Sequence, residues 1–184
     1  MTQSIQNISV KTIQGQELKL SQFEGKVLLV VNVASKCGLT PQYDGLEKIY
    51  REYRAKGLEV LGFPANEFAG QEPGSSAEIQ DFCRSTFGVE FPMFEKIVVK
   101  GQGQHPLYQA LTSAQPTAKE LPDGKLKKLL SEKGLLSGSD RDIRWNFEKF
   151  LVGKHGQVVA RFAPDVTPED PMIKTAIETE LAKN

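Results

Sequence analysis

The chain has 184 residues with 23 basic and 23 acidic side chains, so its formal charge is zero, which argues against the strongly basic footprint of a nucleic-acid binder. Its length fits one domain spanning 1–184 around one sizeable core. Hydrophobic residues at 39% and a mean hydropathy of −0.34 are those of a soluble globular protein, and the longest apolar run, Val27 to Val31, is far short of a membrane span.

The segment Met1 to Asn7 has neither a basic start nor an apolar stretch of signal-peptide length, so a reducing cytoplasm is the expected location. Glu17 to Phe23 reads as a short strand and turn. Lys26 to Ala34 is apolar without alternation, the pattern of a parallel strand buried on both faces. Thr40-Pro41 reads as a helix N-cap followed by proline at the first helical position, and Tyr43, Leu46, Ile49, Tyr50 and Tyr53 then recur at helical spacing, which predicts a helix from about Pro41 to Lys56. Leu58 to Pro64 is a second apolar strand, so the three elements form a βαβ unit whose strands run parallel. Ser75 and Glu78 form a capping box ahead of a helix with Ile79, Phe82, Cys83 and Thr86 on its inward stripe, stopped near Gly88.

His105 to Leu111 reads as a helical turn, and Ser113 to Asp142, rich in Lys, Gly, Ser and Leu, as a long excursion without a stable period. Trp145 to Val152, a turn at Gly153 to Gly156 and Gln157 to Phe162 make a hairpin, and a helix carrying Ile173, Ala176, Ile177 and Leu181 follows Pro168. A βαβ half followed by an antiparallel ββα half gives an α/β fold, a central mixed sheet flanked by helices, of thioredoxin-like type.

Two cysteines, Cys37 and Cys83, are too few for a disulfide scaffold, and together with His105 and His155 they match no short-pair zinc spacing. Cys37 follows the carboxyl end of a buried parallel strand and precedes a helix, where ligands bind in open α/β sheets and where helix N–H groups favour an anionic sulfur. Burial as a small hydrophobe is the other reading of such a cysteine. No Cys-X-X-Cys motif is present, since Gly38, Leu39 and Thr40 follow Cys37, and no histidine is near it in sequence. Gly101 to Gln104 does not open a helix after a strand, so a nucleotide-binding reading is set aside.

Three blocks carry a resemblance: Asn32 to Thr40 (NVASKCGLT), Gly62 to Gly74 (GFPANEFAGQEPG) and Trp145 to Val152 (WNFEKFLV). They resemble, in order and over about Leu18 to Leu181, the signature blocks of the glutathione peroxidase family, in its cysteine-type, non-selenium branch. The resemblance implies a thioredoxin-like fold, a peroxidase that reduces hydrogen peroxide or organic hydroperoxides, and no cofactor or metal beyond an external thiol reductant. It implies Cys37 as the peroxidatic nucleophile, surrounded by Gln71, Trp145 and Asn146, whose amide and indole N–H groups are neutral donors suited to a thiolate. Trp145 and Asn146 can both reach Cys37 only if they precede the regular strand or sit at a bulge, so irregular backbone is expected there.

Cys83 matches the resolving cysteine of the thioredoxin-dependent subgroup, implying an intramolecular Cys37–Cys83 disulfide reopened by thioredoxin. Periodicity alone reads Cys83 as core packing, and a disulfide would require residues near Ser75 to Phe87 to unfold locally. Glutathione as reductant, or a peroxide sensor relaying oxidation to a partner protein, are the alternatives. Ala65-Asn66-Glu67 departs from the Cys-Asn-Gln of many members, and Glu67 is expected to point outward. The Ser113 to Asp142 excursion resembles the insertion that contributes to subunit contacts in oligomeric members; a homo-oligomer is one expectation, which length alone does not establish.

Overall fold

The computed structural model describes residues 4–136 and 138–184; residue 137, within the excursion, and residues 1–3 lie outside the described part. A two-stranded antiparallel ribbon, β1 (Ser9–Lys11) with β2 (Glu17–Lys19), precedes the main sheet. Strand β3 (Val27–Val33) is buried at every position, as its unbroken apolar run dictates. Helix α1 (Gln42–Tyr53) continues as a short 3₁₀ turn through Lys56 and ends at Gly57, whose φ of 111° only glycine adopts without strain. Strand β4 (Leu58–Pro64) then pairs parallel with β3, Val27 opposite Leu58 through Val33 opposite Pro64.

On the other side of β3 lies β5 (Lys149–Val152), antiparallel, followed by β6 (Val158–Phe162), so the order is β4-β3-β5-β6. Helices α2 (Ser76–Phe87), α3 (Pro106–Ala114), α4 (Lys125–Glu132) and α5 (Pro171–Leu181) complete the chain. The expected capping box is formed at α2: Ser75 Oγ accepts from the Glu78 N–H and the Glu78 carboxylate accepts from the Ser75 N–H, both at 3.2 Å. Gly62 is where β4 meets the 91–94 segment, and a Cβ there would stand 2.6 Å from the Met93 sulfur.

Four readings need correction. Thr40 is not the side-chain cap of α1: its hydroxyl donates to Ala34 O at 2.8 Å and accepts from the Cys37 N–H at 2.9 Å, and the flanking residue Pro41 offers no side-chain cap. Thr86 is exposed, because α2 buries only a narrow stripe through Ile79 and Cys83. The strand expected from Trp145 begins four residues later, at Lys149, because Phe147 takes φ +69° and cannot continue a ladder. The excursion contains α4, whose Leu126, Leu129 and Leu130 lie at i, i+3 and i+4.

Arg161, on β6 and almost wholly buried, ties that excursion to the sheet. Its guanidinium pairs with the buried Glu148 carboxylate and donates to the carbonyls of Gln115, Arg141 and Asp142, so both ends of the excursion are held from one side chain. Glu148 also accepts from the Arg144 N–H at 2.9 Å.

Candidate active site

Cys37 lies four residues beyond the end of β3 and is 9% exposed. The turn that holds it forms through Thr40, whose N–H bonds to the Cys37 carbonyl at 3.1 Å while its hydroxyl bridges to Ala34. The N–H groups of Gln42, Tyr43 and Asp44 are taken by the carbonyls of Leu39, Thr40 and Pro41, so the start of α1 does not aim its own donors at the sulfur. The backbone donor on Cys37 Sγ is instead the Leu39 N–H, at 3.3 Å.

A cavity of about 340 Å³ opens over this sulfur. Its core side is lined by Cys37, Gly38, Leu39, Ala69, Gln71 and Trp145. The opposite wall is supplied by the excursion: Leu126, Leu129, Leu130 and Leu135, with Lys133 the single charged side chain on the lining. The structure therefore brings Cys37, Gln71 and Trp145 to one cavity. Asn146 is fully buried behind them and does not line it; its Nδ2 donates to Gln71 Oε1 at 2.9 Å.

Backbone strain surrounds these groups. Among the described residues, the two non-glycine positions with positive φ are Ala69 (58°) and Phe147 (69°), two residues before Gln71 and one after Asn146. Left-handed backbone costs an L-residue roughly 1–2 kcal/mol and persists where surrounding contacts impose it. The contacts are visible here. The Lys36 N–H donates to Gln71 O at 3.0 Å, Asn32 Nδ2 donates to Trp145 O at 3.1 Å, the Phe147 N–H donates to Asn32 O at 2.6 Å, and the Trp145 ring packs on Phe68 with centroids 5.5 Å apart. The irregular backbone expected at Trp145 and Asn146 is present, and it sends the two side chains to different places, Trp145 to the cavity and Asn146 to a hydrogen bond with Gln71.

Cys83 is 1% exposed on α2, and burial pushes its thiol up to about 11. Tyr43 and Glu72 are its polar neighbours, and it lines a different cavity from Cys37, bounded by Gln80, Arg84 and Met93. Both cysteines are free. Glu67 is exposed, in line with expectation, and its carboxylate accepts from the Val99 N–H at 2.6 Å. Neither histidine belongs to the site: His105 caps α3 by accepting from the Leu107 N–H at 3.0 Å, and His155 faces Glu24 and the Asn184 carbonyl in the exposed hairpin turn.

Sequence reasoning missed two elements of this region. The leucine wall had a signal in the spacing of Leu126, Leu129 and Leu130 between Gly124 and Gly134. Glu72, fully buried with neither carboxylate oxygen hydrogen-bonded, had none, because a charged residue next to Gln71 in a loop reads as solvated.

Comparison with known proteins gives a consistent assignment. Residues 5–112 match the glutathione peroxidase family model. The chain is 52% identical to the thioredoxin/glutathione peroxidase BtuE of Escherichia coli (strain K12), with 100% of each covered. It is 44% identical to the hydroperoxy fatty acid reductase gpx1 of Synechocystis sp. (strain ATCC 27184 / PCC 6803 / Kazusa), with 91% of this chain and 90% of that protein covered. The crystal structure of T. cruzi GPX1 superposes with a TM-score of 0.70 at 33% identity over 97% of each chain. A thioredoxin family thiol:disulfide interchange protein from Chlorobium tepidum TLS shares the fold at 13% identity, with a TM-score of 0.62, over 99% of this chain and 98% of that one. With its thioredoxin-like fold, the chain is a peroxidase acting on hydroperoxides and belongs to the glutathione peroxidase family.

Proposed function

We propose that Cys37 is the peroxidatic nucleophile, that Gln71, Trp145 and Asn146 form its polar surround, that Cys83 resolves the oxidised sulfur, and that thioredoxin is the reductant. The observation that carries this reading is the shared cavity: Cys37, Gln71 and Trp145, from three distant segments, line one space with a sparingly exposed sulfur. The Cys37 thiolate attacks one peroxide oxygen, an S–O bond forms as the O–O bond breaks, and the departing oxygen takes a proton and leaves as water or alcohol. The neutral amide and indole donors steady the thiolate and the departing oxygen without titrating themselves.

The resulting sulfenic acid is attacked by Cys83 sulfur, forming the disulfide and releasing water, and the thioredoxin dithiol returns two electrons. Cys83 sits on a regular helix, so this step requires α2 to loosen. The helix is attached through Tyr43, which meets Phe82 edge-on and Phe87 at a tilt, with centroids 6.5 and 5.4 Å apart, and it buries only the short stripe of Ile79 and Cys83. Lys133 as the single charge on the cavity lining provides little to hold the two carboxylates of glutathione, which favours a protein dithiol. The name of the E. coli relative includes both reductants.

Peroxide consumption assayed with thioredoxin or with glutathione tests this. Cys83→Ser is expected to lose thioredoxin-supported turnover while Cys37 sulfenic acid still forms. Full thioredoxin-dependent turnover in that variant would remove Cys83 from the mechanism.

A further inference from the structure

The exposed large hydrophobic side chains among the described residues are Leu129 (46%), Leu135 (39%) and Leu136 (38%), all in or just after α4. Single exposed leucines are ordinary, but a cluster beside a reactive sulfur calls for an explanation. Leu129 and Leu135 line the Cys37 cavity. Local chemistry places them there. Helix α4 ends in a Schellman turn: Gly134 takes φ +66°, its N–H bonds to Ser131 O at 3.1 Å, and the Leu135 N–H reaches back to Leu130 O at 2.8 Å. That turn folds Leu135 back over the helix end, beside the face carrying Leu126, Leu129 and Leu130.

The buried Arg161 holds the excursion against the sheet at both of its ends, so this wall is anchored. A concave space of about 340 Å³ is the size of a small-molecule site rather than a protein-docking face. Hydrogen peroxide has no apolar part and gains nothing from four leucines.

We infer that α4 and its C-terminal turn form the specificity wall of the peroxidase, with Leu129 and Leu135 binding the apolar organic part of a hydroperoxide while its O–O group reaches Cys37. This rests on Cys37 being the nucleophile. Bringing an apolar group out of water against the leucines adds binding that hydrogen peroxide cannot gain, so the wall sets a preference between substrates.

The test is single-turnover oxidation of Cys37 by cumene hydroperoxide and by hydrogen peroxide, read as thiol loss by mass spectrometry on quenched samples, without reductant. In Leu129→Ser/Leu135→Ser the ratio of the two rates is expected to fall roughly tenfold against cumene hydroperoxide. Leu129→Met/Leu135→Met is expected to keep the ratio, and because both leucines are partly exposed, circular dichroism should show both variants folded. An unchanged ratio in the serine variant would overturn the inference, as would a loss seen only in thioredoxin-dependent turnover, which would assign the leucines to the reductant. Cys37 left unmodified by both peroxides in the unsubstituted protein is a different failure: it would remove the nucleophile itself.

Discussion

Asn146 Nδ2 donates to Gln71 Oε1 at 2.9 Å, joining two loops 75 residues apart in sequence. The bond occupies the Gln71 oxygen, and Gln71 lines the cavity, where N–H donors are what a thiolate and a departing alkoxide require. Under the proposed function, this bond makes Asn146 a positioning residue acting through Gln71. Gln71→Ala is expected to slow Cys37 oxidation about 10²-fold, the order of losing one preorganised donor. Asn146→Ala should slow it as well, and the double variant should be little worse than Gln71→Ala in stopped-flow measurements. Additive losses would mean that Asn146 acts on its own.

Lys149 gives a pH signature. It is fully buried on β5, its ammonium donates to Pro164 O at 2.8 Å and Val166 O at 2.6 Å, and burial pulls its pKa down to about 7 despite Asp165 and Glu148 nearby. The unfolded chain keeps that proton up to the ordinary lysine range, so between pH 7 and 9 it binds more protons than the native state. Stability therefore rises with pH there and is lost as pH falls through 7, with a slope of at most about 1.4 kcal/mol per pH unit. Urea midpoints should show the rise, and Lys149→Met should flatten it. A profile identical in both proteins would refute the assignment.

Glu72 behaves in the opposite sense. Burial pushes its carboxyl up, and the neighbouring Ser35 hydroxyl and N–H, with Lys96 and Lys36, offset only part of this. A raised acid stabilises the fold below its ordinary range, and that contribution is lost as pH rises through the raised value. Glu72→Gln should therefore be more stable than the parent at neutral pH, with the gap closing toward pH 4. A less stable Gln variant at pH 7 would show that the charged form has a partner.

Much of this architecture was legible because it rests on local chemistry. Strand β3 announced itself by its unbroken apolar run, α2 by Ser75 and Glu78, and the hairpin turn by Gly153 to Gly156. Thr40 misled because its hydroxyl has a stronger use, bridging Ala34 O and the Cys37 N–H across the turn, than capping α1. Helix α4 was obscured by its lysines and by leucines that remain partly in water, which weakens the usual inside–outside contrast. The Asn146–Gln71 bond joins distant segments through side chains, and no local pattern encodes it.

Arg161 links stability to the site. Arg161→Met leaves the buried Glu148 carboxylate without its partner, and removing one member of a buried pair costs about 3–5 kcal/mol. Denaturant unfolding should show that loss, and hydrogen exchange should show faster labelling across α4. Unchanged protection of α4 would mean that the excursion is held by other contacts.

The most direct measurement is peptide mass spectrometry after one equivalent of hydrogen peroxide on the reduced protein. The expected product is a Cys37–Cys83 link within a single chain, preceded at early times by a trappable sulfenic acid on Cys37 and not on Cys83. Peroxide consumed while Cys37 stays a free thiol would contradict it.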